Sequence, residues 1–278
     1  MASIFMRFPK GRAKALTLSY DDGVEQDVRL VEIMNGHGLK GTFNLNSGLY
    51  AADGTVYPRG QIHRRMTRKK ITETFKDSGQ EVAVHALTHP FLEQLPVELV
   101  INEISRDREN LEAQFGTIIR GMAYPYGTYS DHVVEALKMC GISYARTVIS
   151  TNDFRIPTDW LHLTATCHHD SPELQRLARK FAEDKVMQSP YLFYLWGHSY
   201  EFEASNNWNV IEEFAAYIGN REDIWYATNI EIFEYIEAYN RLVFSMDGKR
   251  LKNPSCRELW LEMNHKLVAI GAGETLEI

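Results

Sequence analysis

The sequence predicts an α/β fold in which parallel strands are covered by helices. Short apolar segments alternate with longer segments whose apolar residues recur every three or four positions. Repeated strand-then-helix units require parallel strands joined by helical crossovers. With 278 residues, 44% of them hydrophobic, the chain can bury a substantial core. Folds of this class carry their functional loops at the carboxyl ends of the strands, where chemistry is expected.

Four strands and three helices are predicted in the first half of the chain. The apolar segments at 13–20, 40–45, 81–84 and 117–123 have the length and composition of strands. Helices are expected from about residue 26 to the glycines at 36 and 38, and from the capping residue Thr67 to 76. A third helix follows Pro96 and carries a stripe of apolar residues at helical spacing: Val97, Ile101, Ile104, Leu111 and Phe115.

The second half of the chain repeats this pattern. Strands are predicted at 142–147, 161–166, 191–196 and 224–227. Helices are expected after a cap at Ser130, after Ser171-Pro172 and at about 208–218. The last long helix follows Thr228, which forms a capping-box signature with Glu231.

The pattern changes near residue 241. Apolar segments at 242–246, 259–261, 267–270 and 275–278 are typical of short strands, and Asp247-Gly248 is a turn signal. We therefore predict an α/β domain at residues 1–240 and a β-rich carboxyl-terminal extension at 241–278.

Composition and net charge indicate which classes of partner and which cellular compartment to expect. A net charge of −7 gives no overall attraction to nucleic acid or to an anionic membrane, so neither is predicted as a partner. The three cysteines include no Cys-x-x-Cys pair, which argues against a disulfide framework. No apolar leader follows Met1 and no apolar run is long enough to cross a bilayer, so a cytoplasmic location is expected. The oligomeric state is left open.

Two motifs at strand ends carry groups that can bind a metal. Asp21-Asp22-Gly23 ends the first strand, and successive side chains there diverge, so one carboxylate can bind a metal while the other faces a substrate. On its own this motif equally fits a solvated turn or a helix cap. His85 and His89 follow a later strand, and neutral imidazoles suit a metal such as zinc. Pro90 disfavours helix at His89, which excludes a helical metalloprotease motif and leaves one buried and one surface histidine as the alternative.

Two further loops could supply catalytic groups. Tyr124-Pro125-Tyr126-Gly127 can aim a backbone N–H at a developing oxyanion, or it is an ordinary turn. His198 follows a fully apolar strand and could act as a general acid if a carboxylate raised its pKa. The alternative is a loop histidine that hydrogen-bonds to the backbone.

Three other features have a functional and a structural interpretation. Cys167-His168-His169-Asp170 could contact substrate or add a metal ligand, or it is a loop that leads into the helix after Ser171. The basic cluster at 59–70 could attract an acidic glycan, or it is a solvated face. Aromatic residues near the motifs could stack on sugar rings, although most aromatics in strands belong to a core.

The order of these motifs along the chain resembles that of the polysaccharide deacetylases with a NodB homology domain, also called carbohydrate esterase family 4. The resemblance runs from about residue 14 to 239 and includes the intervals between motifs. The segment Trp-Gly-His-Ser-Tyr-Glu at 196–201 is most similar to members whose carbohydrate targets are often undefined. The resemblance implies a distorted (β/α) barrel of parallel strands ringed by helices, often with seven strands.

The resemblance also implies roles for single residues. Asp21 becomes the catalytic base, His198 the general acid, and the Tyr126 backbone N–H an oxyanion donor. The implied ligands of a divalent metal, usually zinc, with cobalt or nickel as substitutes, are Asp22, His85 and His89. Further residues are expected to contact substrate: Pro125, Trp196, Asp159, Trp160 and His168.

The chain departs from the family pattern in two places. The arginine that orients the base, just before Pro-Tyr-Gly, is replaced by Ala123-Tyr124, and Arg120 lies too far along the strand to take its place. The family's Asp-Trp pair is matched only loosely by Asp159-Trp160. The group that orients Asp21 is therefore left open.

The resemblance implies a metal-dependent hydrolase that removes N- or O-linked acetyl groups from a carbohydrate through a metal-activated water. Two alternatives remain. One is an intracellular hydrolase of the same fold that acts on a cyclic amide, an imide or another non-peptide C–N bond. The other is a non-catalytic carbohydrate-binding relative.

Overall fold

The chain folds around a curved parallel sheet, described here for residues 4–278 from a computed structural model. Its strands are β1 (Ile4–Arg7), β2 (Lys14–Asp21), β3 (Gly41–Leu45), β4 (Glu81–Val84), β5 (Gly121–Ala123), β6 (Tyr144–Ser150), β7 (Leu163–Ala165), β8 (Cys167–His168), β9 (Tyr191–Gly197), β10 (Ile224–Tyr226), β11 (Val243–Phe244), β12 (Arg250–Lys252), β13 (Leu259–Met263), β14 (Lys266–Ile270) and β15 (Thr275–Glu277). Its helices are α1 (Asp27–Gly36), α2 (Arg68–Phe75), α3 (Val97–Phe115), α4 (Asp131–Met139), α5 (Leu174–Glu183), α6 (Ser199–Ala204), α7 (Asn209–Ile218) and α8 (Asn229–Asn240).

The central sheet has the order β7-β6-β5-β4-β3-β2-β9-β8, with β10 also paired to β2, and every pairing is parallel. Its two end strands, β7 and β8, are separated in the chain by Thr166 alone. The backbone N–H of Thr166 donates to the Tyr194 carbonyl oxygen at 2.8 Å, which ties this segment to β9. The two edges of the sheet are thus connected through Thr166, and the predicted barrel-like fold of parallel strands with surrounding helices is confirmed.

Strand β2 is the centre of this sheet, between β3 and β9, and all eight of its residues are buried. Its sequence alternates from residue 16 onward: Leu16, Leu18 and Tyr20 are apolar, whereas the equally buried Thr17, Ser19 and Asp21 are polar. Asp21 is the last residue of β2 and is 3% exposed. The fold therefore brings a carboxylate into the interior at the carboxyl end of its central strand.

The carboxyl-terminal strands form two small antiparallel sheets, β11-β12-β15 and β14-β13-β1. The second includes the amino-terminal strand β1, since Ile4 pairs with Met263 and Arg7 with Trp260. An apolar cluster joins this sheet to α8 and includes Phe8, Tyr235 and Leu261. The extension is β-rich, as predicted, and it packs on the barrel. A domain boundary at residue 240 stays a prediction.

Local sequence signals account for most element boundaries. Glu81–Val84 has the predicted bounds, and the Thr67 side chain accepts a hydrogen bond from the Lys70 N–H at 3.2 Å. The Thr228 capping box is formed. Ser130 is the N-cap residue of α4, as predicted, but its hydroxyl contacts His132 Nδ1 at 3.0 Å and makes no hydrogen bond to the helix backbone. Strands β1 and β12 and the short helix α6 were not predicted.

Glu81 makes the stability of the fold depend on pH. It lies at the amino end of β4, where its carboxyl group accepts hydrogen bonds from Thr42 Oγ1 (2.7 Å), the Ile230 N–H (3.0 Å) and the Tyr144 hydroxyl (2.7 Å). Burial nevertheless raises the pKa of Glu81 to about 7, above the ordinary value of 4.5. The stability that the protonated carboxyl contributes is fully present below pH 4.5 and is lost as the pH rises through about 7.

We expect Glu81→Gln to flatten the pH dependence of the free energy of unfolding, because glutamine keeps the shape and cannot ionise. Between pH 4.5 and 7, the free energy of unfolding of the wild type should fall by roughly 3 kcal/mol relative to that of Glu81→Gln, since one pKa unit corresponds to about 1.4 kcal/mol. Urea denaturation across this range measures it, with the exposed Glu98→Gln as the control. Equal profiles for Glu81→Gln and the wild type would contradict the assignment.

Candidate active site

Polar side chains from three strands meet at the carboxyl end of the barrel. Asp21 and Asp22 end β2, His85 follows β4 directly, and His198 follows β9. Parallel neighbouring strands end at the same edge of a sheet, which explains why residues so far apart in sequence converge. Asp21 Oδ2 lies 3.8 Å from both His85 Nε2 and His198 Nε2.

Asp22, His85 and His89 form a candidate metal triad. One ligand atom from each lies within 4.8 Å of the other two. His85 Nε2 and His89 Nε2 are 3.1 Å apart, close to the spacing of about 3.3 Å between the ligand atoms of a tetrahedral zinc ion. His85 Nδ1 lies 2.8 Å from the Ala123 carbonyl oxygen and donates to it, so the Nε2 lone pair points into the site. This donor set fits a divalent cation.

The protonation states of the candidate metal triad also suit the binding of a divalent cation. Burial lowers the pKa of His85, and burial together with the nearby His85 lowers the pKa of His89 to about 4. Burial alone would raise the pKa of Asp22, but the hydrogen bond with His63 and the charge of Arg65 lower it below its usual value. Two neutral imidazoles and an ionised carboxylate are the forms that bind a cation.

The triad is held by backbone turns that need support from the surrounding loops. Asp22, Ala86 and His89 have positive φ angles of 87°, 61° and 56°, a conformation that residues with a side chain rarely adopt. The buried Asp107 accepts the backbone N–H of His85 at 3.1 Å. Asn46 Nδ2 donates to the Ala86 carbonyl oxygen at 2.7 Å. These contacts hold the turn that directs both histidines to one point.

Arg146 supplies the guanidinium group that the sequence left unassigned. It lies on β6, is fully buried and forms an ion pair with Asp21 Oδ2. Asn44 Nδ2 donates to the other carboxylate oxygen at 2.8 Å. Burial raises the pKa of Asp21, but the charge of Arg146, with smaller contributions from His85 and His198, lowers it overall. Asp21 is therefore an ionised carboxylate in a fixed orientation. An arginine within an otherwise apolar strand was the available signal.

His198 is paired with Glu201, to which no role was assigned from the sequence. Glu201 Oε1 lies 3.3 Å from His198 Nδ1, and Glu201 Oε2 accepts the His198 backbone N–H at 3.1 Å. Burial lowers the pKa of His198, but Glu201 and then Asp21 raise it, and the net shift is upward. A histidine with a raised pKa can carry the proton that a general acid must donate.

The sequence itself matches a known family at this site. A sequence profile described as polysaccharide deacetylase matches residues 9–145, which include Asp21 and all three residues of the candidate metal triad. Over these residues the chain matches the polysaccharide deacetylase family. No curated protein sequence matches it.

Several solved structures have a fold similar to that of this chain. A candidate polysaccharide deacetylase from Mycobacterium smegmatis is 15% identical, with a TM-score of 0.59 over 86% of this chain and 96% of that chain. The Xyl-CE4 domain of a multidomain xylanase from the hindgut metagenome of Trinervitermes trinervoides is 16% identical, with a TM-score of 0.52 over 81% and 92%. A family 4 carbohydrate esterase from Streptomyces lividans, in complex with acetate, is 16% identical, with a TM-score of 0.51 over 77% and 92%.

The loop of Tyr126, the expected oxyanion donor, and of Pro125, an expected substrate contact, lies beside the candidate metal triad. Tyr126 has a φ angle of 58°, and its half-exposed ring stacks on Phe91 with the ring centroids 3.9 Å apart. The edge contact between Tyr126 and His89 places the centroids 4.5 Å apart. Pro125 is buried beneath this loop. An oxyanion donor at the Tyr126 N–H stays a prediction.

Trp196 and His168 form the wall next to His198. Trp196 is 8% exposed, and the guanidinium carbon of Arg146 lies 4.6 Å from the centroid of one Trp196 ring. His168 meets Trp196 edge-on with the centroids 4.5 Å apart. Trp196 therefore supports Arg146 and is mostly shielded from a substrate.

Within residues 4–278, no hydrogen bond or ring contact joins Asp159 or Trp160 to the candidate metal triad, and their expected role in substrate contact stays a prediction. Trp160 packs edge-on against Phe233 of α8 with the centroids 5.2 Å apart. The Asp159 side chain accepts from the Leu161 N–H and thus caps a short turn.

The basic cluster at 59–70 is not one solvated face. Arg65 turns inward and donates to Asp22 Oδ1 at 2.9 Å and to Asn46 Oδ1 at 2.6 Å. Arg64 forms ion pairs with Glu25 (2.6 Å) and Glu203 (2.8 Å). Much of the basic charge near the site is thus neutralised by this chain's own carboxylates. No helix within residues 4–278 is long and apolar enough to cross a membrane.

Proposed function

We propose that this protein removes acetyl groups from a carbohydrate in a reaction that requires a divalent metal. The observation that carries the proposal is the candidate metal triad with Asp21 and His198 on either side of it, each an ionisable group of the appropriate charge. Asp21 Oδ2 lies 3.8 Å from His85 and from His198, so a base, an acid and the metal ligands surround one small volume. The Streptomyces lividans esterase of similar fold binds acetate, the product expected here.

Asp22, His85 and His89 would hold the cation. One carboxylate oxygen and two imidazole nitrogens suit zinc, with cobalt or nickel as substitutes. When bound, such a cation polarises an acyl carbonyl and lowers the pKa of a nearby water to about 7. The role of the protein is to fix the ligands and to place a base and an acid beside them.

Asp21 is proposed to accept the proton of the attacking water. Arg146 and Asn44 occupy its two oxygens from the interior side and prevent rotation of the carboxylate, which keeps it aimed at the site. His198, held by Glu201, donates a proton to the leaving amine or alcohol. The Tyr126 N–H would stabilise the negative charge on the acyl oxygen, an interaction typically worth about 3 kcal/mol.

Acetate release tests this function. Zinc-loaded protein is incubated with N-acetylated and O-acetylated oligosaccharides and, in parallel, with small cyclic amides and imides. The proposal predicts free acetate from at least one acetylated sugar and no ring opening. Ring opening without acetate would favour the alternative hydrolase of the same fold, and inertness towards both classes would favour a non-catalytic relative.

Arg146 is expected to act as a positioning residue for Asp21. We expect Arg146→Lys to lower kcat by about 10²-fold with little change in KM, because a shift of the base by about 1 Å can cost that much. Zinc content should stay at the wild-type level, since Arg146 touches none of the candidate metal triad. Added guanidinium ion should restore part of the turnover of Arg146→Ala, a response that a purely structural arginine would not give. The exposed Arg155→Lys is the matched control. A kcat within twofold of wild type for Arg146→Lys would contradict this role.

A further inference from the structure

A second cluster of metal-ligating side chains lies behind His198, at the end of β8 and the start of α6. Its members are His168, His169, Asp170 and Glu201, and one ligand atom from each lies within 4.8 Å of the others. None of them belongs to the candidate metal triad. We propose that this second cluster binds a divalent transition-metal cation, with His169 Nε2, Asp170 Oδ1 and Glu201 Oε2 as ligands.

The first observation that supports the proposal is the spacing of the ligand atoms. His169 Nε2 lies 3.2 Å from Glu201 Oε2 and 3.3 Å from Asp170 Oδ1. The ligand atoms around a tetrahedral zinc ion stand about 3.3 Å apart. Although close, neither contact meets the geometric requirements of a hydrogen bond to this ring nitrogen. Carboxylate oxygens that stand this close to an imidazole nitrogen without a hydrogen bond fit the arrangement of ligands around a shared cation.

The state of His169 is an independent observation. It is 1% exposed, and neither of its ring nitrogens has a hydrogen-bond partner among residues 4–278. The ring is fixed between Phe202 and Tyr20, with centroid distances of 4.1 and 5.7 Å. A Cβ on Gly197 would fall 2.1 Å from His169 Nδ1, so the glycine makes room for the ring. A buried polar group without a partner is destabilising, and a cation at Nε2 would remove the cost at that nitrogen.

His168 and the exposed Asp170 form the surroundings of the proposed second site. His168 Nε2 lies 3.2 Å from Glu201 Oε2, while His168 Nδ1 accepts the Asp170 N–H at 3.1 Å. His168 therefore carries its hydrogen on Nε2 and faces Glu201 as a donor, outside the proposed ligand set. Asp170 is exposed and gives a cation access from solvent. One imidazole and two carboxylates suit zinc or manganese.

Glu201 links this second site to the proposed acid. Its Oε2 belongs to the second cluster, while its Oε1 lies 3.3 Å from His198 Nδ1. A cation on Oε2 would hold Glu201 in place, and with it the imidazole of His198. The second cation is thus a positioning group behind the active site and is separate from the cation of the candidate metal triad.

Zinc content per chain tests the inference in the full-length protein, after loading and dialysis into metal-free buffer. The second site predicts that Asp170→Asn loses one zinc per chain relative to wild type, whereas the exposed Asp131→Asn loses none. Asp170 is at the surface, so its change leaves the core intact. His85→Ala separates the two sites, because it should lose the other zinc and keep this one.

An anomalous difference map at the zinc edge locates the ion. Density in contact with His169, Asp170 and Glu201 supports the inference. Equal zinc content in Asp170→Asn and wild type, or a zinc-loaded crystal without density there, overturns it. A wild type with one zinc that Asp170→Asn loses and His85→Ala keeps would support this inference and contradict the proposed function.

Discussion

Asp21→Asn is expected to lower kcat by a factor of about 10² to 10⁴, the range that a general base typically contributes. Asparagine has the shape of aspartate and can still accept the hydrogen bond from Asn44, but it cannot accept a proton from water. The metal ligands are unchanged, so zinc content should equal that of wild type. Acetate release and zinc content, measured on the same preparation, separate a lost base from a lost metal.

The buried Arg146 requires a control in this experiment. Removing one partner of a buried ion pair commonly costs about 3–5 kcal/mol, so the unfolding midpoint has to be measured and rates compared well below it. Asp53→Asn, at an exposed loop position, controls for the change of net charge. Full activity in a folded Asp21→Asn protein would refute Asp21 as the base.

His85→Ala is expected to abolish turnover by weakening the cation site itself. His85 Nε2 is one of three ligand atoms, and its loss should cost more than the roughly 10- to 100-fold in affinity that loss of an outer partner of a ligand typically costs. Zinc titration of the metal-stripped protein measures the affinity, and acetate release measures turnover. Both should fall together, which distinguishes this variant from Asp21→Asn.

The exposed His132→Ala provides the matched histidine control. Since His85 is fully buried, circular dichroism has to show that the variant retains its fold. His89→Ala, at a more accessible ligand of the same triad, should show the same joint loss and guards against a packing effect. Wild-type zinc affinity in both histidine variants would exclude the candidate metal triad as the cation site.

Much of the fold could be predicted because local signals agree with the tertiary structure. The apolar residues Leu16, Leu18 and Tyr20 fit the buried strand β2, and the Thr67 and Thr228 caps fix two helix starts. Strand β1 was missed because four residues that pair with β13, more than 250 residues away, carry no local signature. Helix α6 was missed because His198 and Ser199 were interpreted as a loop, although Glu201 closes its first turn locally by accepting the His198 N–H at 3.1 Å.

The residues of the candidate site likewise fall into those that the sequence could predict and those that it could not. Its metal ligands and base stand in motifs at strand ends, which the sequence displays directly. Arg146 and Glu201 act on neighbours that are 125 and three residues away, and only the curvature of the sheet brings Arg146 to Asp21. Asp159-Trp160 was assigned from the family resemblance, and no hydrogen bond or ring contact within residues 4–278 joins this pair to the candidate metal triad.

Metal-dependent acetate release is the most direct measurement of the central claim. The wild-type protein is stripped with a chelator, dialysed and assayed with an acetylated oligosaccharide before and after zinc is returned. We predict that the stripped protein releases no acetate above background and that zinc restores the rate of the untreated protein. A stripped protein that still releases acetate at the original rate would contradict the proposed role of Asp22, His85 and His89.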